Sequence, residues 1–220
     1  MEFAEVVRRR RMIRSYDEAR PVPEDALDAV LAAALRAPSA GYTQGVSLLV
    51  LCSATERETF WRVVAHADST WLRGMRTAPV LVLVWTSEEV YLDRYAEPDK
   101  GWTDRDPARW SAPYWFVDAG MASMAALLSA VDHDLGACFF GIPTARIGAA
   151  REAFGVPPDQ LSVGVISLGY PVLEMRPEPV EGRASTGAVL SSSKGSARIT
   201  GSPTRRPRKA PPELIHRGAW

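Results

Sequence analysis

Between residues 114 and 131, Val117, Met121, Met124, Ala125, Leu128 and Val131 recur at helical spacing, and the stretch is apolar nearly all the way round. Such a helix cannot rest on a surface, so the rest of the chain must supply layers that cover it on most sides. Its least polar part, 119–131 between Asp118 and Asp132, is too short to cross a hydrocarbon layer of ~30 Å. A central helix of a water-soluble domain is therefore expected, not a membrane span. With 220 residues, 46% of them hydrophobic, the chain can enclose such a helix in one domain.

The covering elements can be read from their periods. Phe3, Val6 and Val7, followed by Arg10 and Arg11, predict a short opening helix whose far end presents guanidinium groups. Glu24 and Asp25 open a second helix after Pro21 and Pro23. Its stripe of Leu27, Val30, Leu31, Ala34 and Leu35 ends at Pro38. Segments 46–52 and 79–85 read as buried strands with a helix over 56–65 between them. Further on, 136–142 is a short apolar segment, 145–154 a helix ended by Gly155, and 161–169 a third strand.

Two regions break this pattern. From 86 to 113, Tyr91, Tyr95, Trp102 and Trp110 stand among charges and prolines without a sustained period. Compact domains favour links of ~4–6 residues, so this is an excursion over a pocket or an exposed loop packing its own rings. Beyond Pro171 the chain is rich in Pro, Ser, Gly and Arg up to Pro212, a composition that builds no core of its own. The expected organisation is a domain over 1–175 and an extension over 176–220. The extension docks through its apolar ending, Leu214 to Trp220.

Charge and motif content exclude several chemistries. Lys plus Arg and Asp plus Glu each number 26, which argues against a nucleic-acid partner. Cys52 and Cys138 read as free thiols in a reducing cytoplasm, with Cys138 made inert by apolar neighbours. The three histidines, His66, His133 and His216, lie too scattered to form a metal site with them. No nucleophile elbow, Walker loop or dinucleotide fingerprint is present. No catalytic acid, base or nucleophile is assigned.

The dense features are basic and small. Arg8, Arg9, Arg10, Arg11 and Arg14 fall within seven residues, and Arg205, Arg206, Arg208 and Lys209 form a second cluster. Guanidinium forks match phosphate oxygens, so one phosphomonoester could explain both clusters, although each alone also reads as a solvated basic patch. In 37–45, Pro38, Ser39, Ala40 and Gly41 allow close approach of a ligand, while Ser39, Thr43 and Gln44 add donors and acceptors. As a local pattern this is equally a helix stop and a loop. The segment 136–141, with Gly136 and Gly141 at its ends, could turn main-chain N–H groups toward a planar ligand or form a tight strand entry.

In order and spacing, 10–16, 21–23, 37–44, 136–141 and Gly169-Tyr170-Pro171 resemble the flavin-dependent nitroreductase family. The ending from Arg206 to Trp220 is similar to an actinobacterial branch of it. The resemblance implies an α+β fold with a small mixed sheet flanked by helices, in an intertwined homodimer with FMN at the subunit interface. By position it implies that Arg10, Arg11 and the main chain of Met12 bind flavin phosphate, and that Arg14 faces the N1/O2 edge of the ring. It further implies that Pro38, Ser39, Ala40 and Gln44 reach the ring from the partner subunit. Phe140 and Gly141 would hydrogen-bond near N5 and O4, and Arg206 and Arg208 would close on the phosphate, with Arg183 as the competing ligand.

The implied activity is hydride transfer from NAD(P)H through flavin N5 to a nitroaromatic, quinone or similar planar small molecule. Tyr42, Trp102 and Trp110 are the expected substrate-pocket residues. Where the family often has Ser and Asn, this chain has Met12 and Tyr42. These departures leave a flavin or deazaflavin storage protein as an alternative, alongside a flavin-dependent biosynthetic dehydrogenase.

Overall fold

The computed structural model describes residues 1–65, 70–174, 198–199, 210–211 and 214–216. Its elements run α1 (Phe3–Arg9), α2 (Glu24–Leu35), β1 (Val46–Leu51), α3 (Ala54–Val64), α4 (Thr70–Arg76), β2 (Val80–Thr86) and α5 (Glu88–Ala96). They continue with α6 (Tyr114–Asp132), β3 (Gly136–Phe140), α7 (Thr144–Ala153), β4 (Leu161–Gly169) and the short pair β5 (Leu173–Glu174) and β6 (Arg198–Ile199). Local chemistry explains several boundaries. Ser53 caps α3 reciprocally: its Oγ accepts from the N–H of Glu56, whose carboxylate accepts from the N–H of Ser53.

The main sheet has the order β1-β2-β4-β3. All three strand pairs are antiparallel, so the sheet is not the mixed one expected. A parallel contact comes from the single bridge of Met12 to Ala137, outside the four strands. The order puts β2 inside, and all seven of its residues are buried. Its alternation divides the core. Leu81, Leu83 and Trp85 pack with Phe60, Trp61, Leu72 and Met75 from α3 and α4, while Val80, Val82 and Val84 pack with α2 and α6.

The face toward α6 is built from small groups. Ala119, Ala122, Ala126 and Ala130 are all buried against the sheet side, which lets the helix lie close to β2 and β4. The helix was expected to be covered on most sides, but Val117, Met121 and Met124 are 38%, 41% and 47% exposed, and Phe116 joins them outside. Close packing puts the alanines against the sheet and leaves these four long side chains facing outward. Among the described residues, α6 is the one helix long and apolar enough to cross a membrane, and half of that window is buried in the fold.

Two helices were not legible in the periods: α4, and α5 within the 86–113 excursion. The N-terminal segment after α1 is stitched along the sheet's far edge. Ile13 N–H donates to Ala137 O (2.9 Å), Asp17 N–H to Tyr170 O (2.9 Å), and Val172 N–H to Ser15 O (3.2 Å). Tyr16 locks this seam from inside, being 2% exposed with its hydroxyl 2.7 Å from both Ile13 O and Ser167 Oγ. Replacing Tyr16 by Phe leaves those buried partners short of a hydrogen bond. We expect a loss of about 1–3 kcal/mol, read as a lower urea midpoint at unchanged slope.

Candidate functional site

The expected flavin-binding residues fall into two sets at opposite edges of the sheet. At the β3 edge, α1 delivers the arginine run. Arg8 is paired with Glu5 (2.6 Å) and Arg9 with Asp134 (3.1 Å), whereas Arg11 Nη1 donates to the carbonyls of Arg8 and Arg10 (2.7 and 2.8 Å). Arg10 differs. Its Nη1 is buried without a hydrogen-bond partner among the described residues, a costly state for a cationic donor. An anion beside it would remove that cost.

Next to it, the Met12 bridge holds the segment against β3, and Met12 Sδ accepts from Phe139 N–H at 3.5 Å. Arg14 is half-buried, with Nη1 3.4 Å from Met12 O. Its charge reaches Cys138: burial pushes that thiol up, and the guanidinium opposes the shift more weakly. The result agrees with an inert thiol. Phe140 is anchored, its ring stacked on Trp61 at 5.8 Å and 9° and set edgewise to Trp71 at 5.5 Å. Beside it Gly141 is exposed, with open space where a Cβ would stand. Arg10, Arg11, Met12, Arg14, Phe140 and Gly141 thus share one edge. Arg183, Arg206 and Arg208 lie outside the described residues, as does His66.

Sequence reasoning missed α4, which covers this edge. Its Gly74 sits so close to the Arg14 backbone that a Cβ would fall 2.1 Å from Arg14 O. Trp71, 41% exposed, stands over Phe140. The signal was present as Trp71, Leu72 and Met75, but a seven-residue helix interrupted by glycine gives too short a period to recognise.

The second set lies beside β1. Loop 38–44 contains one 3₁₀ turn, Ala40–Tyr42, and places Pro38, Tyr42 and Gln44 at the surface, with Ser39 and Ala40 half-buried. Gly41, Tyr42 and Gln44 have positive φ of 61°, 57° and 55°. For the two residues other than glycine this costs about 1–2 kcal/mol each. The loop is tied to α5 and α6: Asp118 Oδ2 accepts from Ala40 N–H and from the Tyr91 hydroxyl, both at 2.8 Å, and Arg94 Nε donates to Gly41 O at 2.8 Å. Burial and the neighbouring Asp118 push the Tyr91 hydroxyl well above the usual phenol range.

Trp102 and Trp110, expected in a substrate pocket, are half-buried and pack on each other (5.3 Å) and on Tyr95 (4.9 and 4.3 Å). The charges around them form their own pairs, Arg94 with Asp99, Arg105 with Glu89 and Asp93, and Arg109 with Asp104. Of that trio Tyr42 alone presents a largely open ring, 76% exposed. Asp118 was also missed. A lone carboxylate in an apolar helix is the available signal, because such a group is buried only when it has partners.

Three strand steps separate β1 from β3, and the Met12 segment adds a fourth, so the two sets stand roughly 19 Å apart across the sheet. Within one chain they lie at opposite margins of the sheet. Among the described residues no group of three or more His, Cys, Asp and Glu side chains could hold a metal.

A sheet between helical layers, with a guanidinium donor unpaired among the described residues at one edge and a braced small-residue loop at the other, defines an α+β protein whose candidate binding groups lie in separate halves. The family model described as "Nitroreductase family" matches residues 7–68 and 62–170. The chain belongs to the nitroreductase family and is an oxidoreductase of that class. A Methanothermobacter thermautotrophicus protein with the provisional name NADH dehydrogenase/NAD(P)H nitroreductase is 27% identical over 173 residues, covering 78% of each chain. Among solved structures, a provisionally named nitroreductase from Exiguobacterium sibiricum, in complex with FMN, is similar at a TM-score of 0.62. Its identity is 22%, over 80% of this chain and 94% of that one. An FMN-dependent nitroreductase from Clostridium difficile gives a TM-score of 0.59 and 22% identity, over 78% and 88%.

The contact of α4 with Arg14 can be tested directly. Gly74→Ala drives a methyl group into Arg14 O, so the helix or the 12–14 segment must shift. We expect a lower thermal midpoint and, in the amide spectrum, displaced resonances centred on Arg14 and Ala137.

Proposed function

We propose that this chain is an FMN-dependent NAD(P)H oxidoreductase acting as a homodimer on nitroaromatics, quinones or similar planar small molecules in the cytoplasm. The observation that carries the reading is the buried Nη1 of Arg10, without a hydrogen-bond partner among the described residues, four positions before Arg14 on the segment that borders β3, in a chain of this family. Those donors fit an anionic, planar cofactor: a phosphate would satisfy Arg10, and Arg14 offers a second, fixed positive charge a few residues on. Structures of similar proteins in complex with FMN support FMN as that group.

In this reading Arg10 and Arg11 hold the phosphate with Arg206 and Arg208, or with Arg183, and the main chain of Met12 steadies the turn. Arg14 stabilises negative charge at the N1/O2 edge, a preorganised electrostatic role. Main-chain groups at Phe140 and Gly141 orient the ring, with the Phe140 side chain locked between Trp61 and Trp71. Bound FMN would supply hydride acceptance from the nicotinamide and hydride donation to the acceptor. No side chain need act as nucleophile or metal ligand, and water can deliver the proton.

The second half of each site comes from a second copy. Pro38, Ser39, Ala40 and Gln44 lie beside β1, about four strand spacings from the Arg10–Arg14 margin, which supports contributions to one cofactor from two chains. The outward apolar stripe of α6 (Phe116, Val117, Met121 and Met124) gives the copies a face to share.

The purified protein should be yellow, with oxidised flavin absorbance that bleaches on anaerobic addition of NADPH. A coloured protein that NADPH and NADH fail to bleach would be a flavin-holding protein instead. Arg14→Ala should slow flavin reduction on the order of 10²-fold while weakening retention less, and Arg10→Met should chiefly release the cofactor. In sedimentation, Met121→Asp should shift a dimer to monomer and lower flavin content with it.

A further inference from the structure

Loop 38–44 is held in a shape its residues do not adopt unaided. Positive φ is uncommon outside glycine, yet Tyr42 and Gln44 both have it. Such conformations persist where the surroundings over-determine them, and they gather at ligand clamps. Here the surroundings can be named. Asp118 is 2% exposed, and the donors on its Oδ2 are one loop N–H, that of Ala40, and one phenol, that of Tyr91. Arg94 holds Gly41 O from α5 while its terminal nitrogens grip Asp99 at 2.7 and 2.8 Å.

The rings of α5 complete the brace. A Cβ at Gly41 would lie 2.7 Å from Tyr95 Cε2, and one at Gly45 would lie 2.4 Å from Tyr91 Cε2, so both rings rest directly on loop backbone. A buried carboxylate is a costly way to hold one amide when apolar packing would serve stability. What it adds is direction. The inner side of the loop is tied at three points, and the outer side presents the Tyr42 ring.

We propose that Tyr91, Asp118 and Arg94 are positioning residues. They fix the loop so that Tyr42 and the Ser39–Ala40 edge form a rigid wall over the planar ligand of a second copy, and this wall sets which acceptors fit. The inference rests on the function proposed above. None of the three residues touches the ligand; they act through the loop.

The test uses FMN-loaded wild type, Tyr91→Phe, Asp118→Asn, Asp118→Ala and Tyr42→Ala, with menadione as the planar acceptor. Tyr91→Phe keeps the ring against Gly45 and removes only the hydroxyl. It should raise the KM for menadione about tenfold, with kcat within about twofold, the size of one lost hydrogen bond. Amide exchange at Ala40 and Gln44 should quicken about tenfold while β2 and β4 stay protected. Asp118→Asn, which keeps an accepting oxygen in place, should stay near wild type, and Asp118→Ala should match or exceed Tyr91→Phe. Tyr42→Ala should reproduce the KM shift with Ala40 exchange unchanged.

Should Asp118→Ala fail to fold, Tyr91→Phe and Tyr42→Ala still decide the question. Faster exchange in Tyr91→Phe with an unmoved KM overturns the inference and leaves a structural brace. Unmoved exchange overturns the brace itself. Wild type that takes up no FMN overturns the functional reading and the inference together, whereas flavin uptake with an unmoved KM overturns the inference alone.

Discussion

The close seat of α6 on the sheet governs this fold. Alanines at 119, 122, 126 and 130 bring the helix against β2 and β4, where a row of valines meets them. Because the small side chains are spent on that contact, the long ones at 116, 117, 121 and 124 face away from their own core. A helix apolar on both sides thus serves two purposes: its inner face holds the monomer together, and its outer face is available to another surface. The same seat fixes where Asp118 emerges, and through Asp118 where the loop before β1 stands.

The other long-range constraint is the seam between the N-terminal segment and β3. Hydrogen bonds at Ile13, Asp17 and Val172, closed by the buried Tyr16 hydroxyl, turn the residues after α1 into a fixed margin of the sheet. Among the described residues no ion pair holds Arg10 or Arg14, and that margin fixes the segment that carries them. This separates them from Arg8 and Arg9, whose carboxylate partners account for their charge. A five-arginine run therefore contains residues with different tasks, which sequence proximity alone conceals.

Much of the architecture was legible because its periods are strong. The stripe of α2, the buried runs of β2 and β4, and the extent of α6 follow from apolar spacing alone; β1 was expected as a buried strand and instead lies at the sheet edge, where Leu51 is its one fully buried residue. Which face of α6 packs was not legible, because side-chain size, not hydrophobicity, decided it. In α5, Glu88, Glu89, Asp93 and Arg94 outweigh the buried Tyr91 and Leu92, so its helical period is faint. The two halves of the candidate site were legible only through resemblance to a family. No local rule in the sequence says that 10–14 runs beside 136–140, since that adjacency is made by tertiary hydrogen bonds. The brace at Asp118 stayed hidden for the same reason: both its donors are remote in sequence.

The segment from α5 to the start of α6 is crowded with charge, yet its ion pairs are largely exposed and thus individually weak and readily screened. The interleaved rings of Tyr91, Tyr95, Trp102, Trp110 and Trp115 carry the cohesion instead. Raising ionic strength should leave this region nearly as firm as before. An organic cosolvent that competes for aromatic faces attacks it where it is held, and the loop that rests on those rings loosens with it.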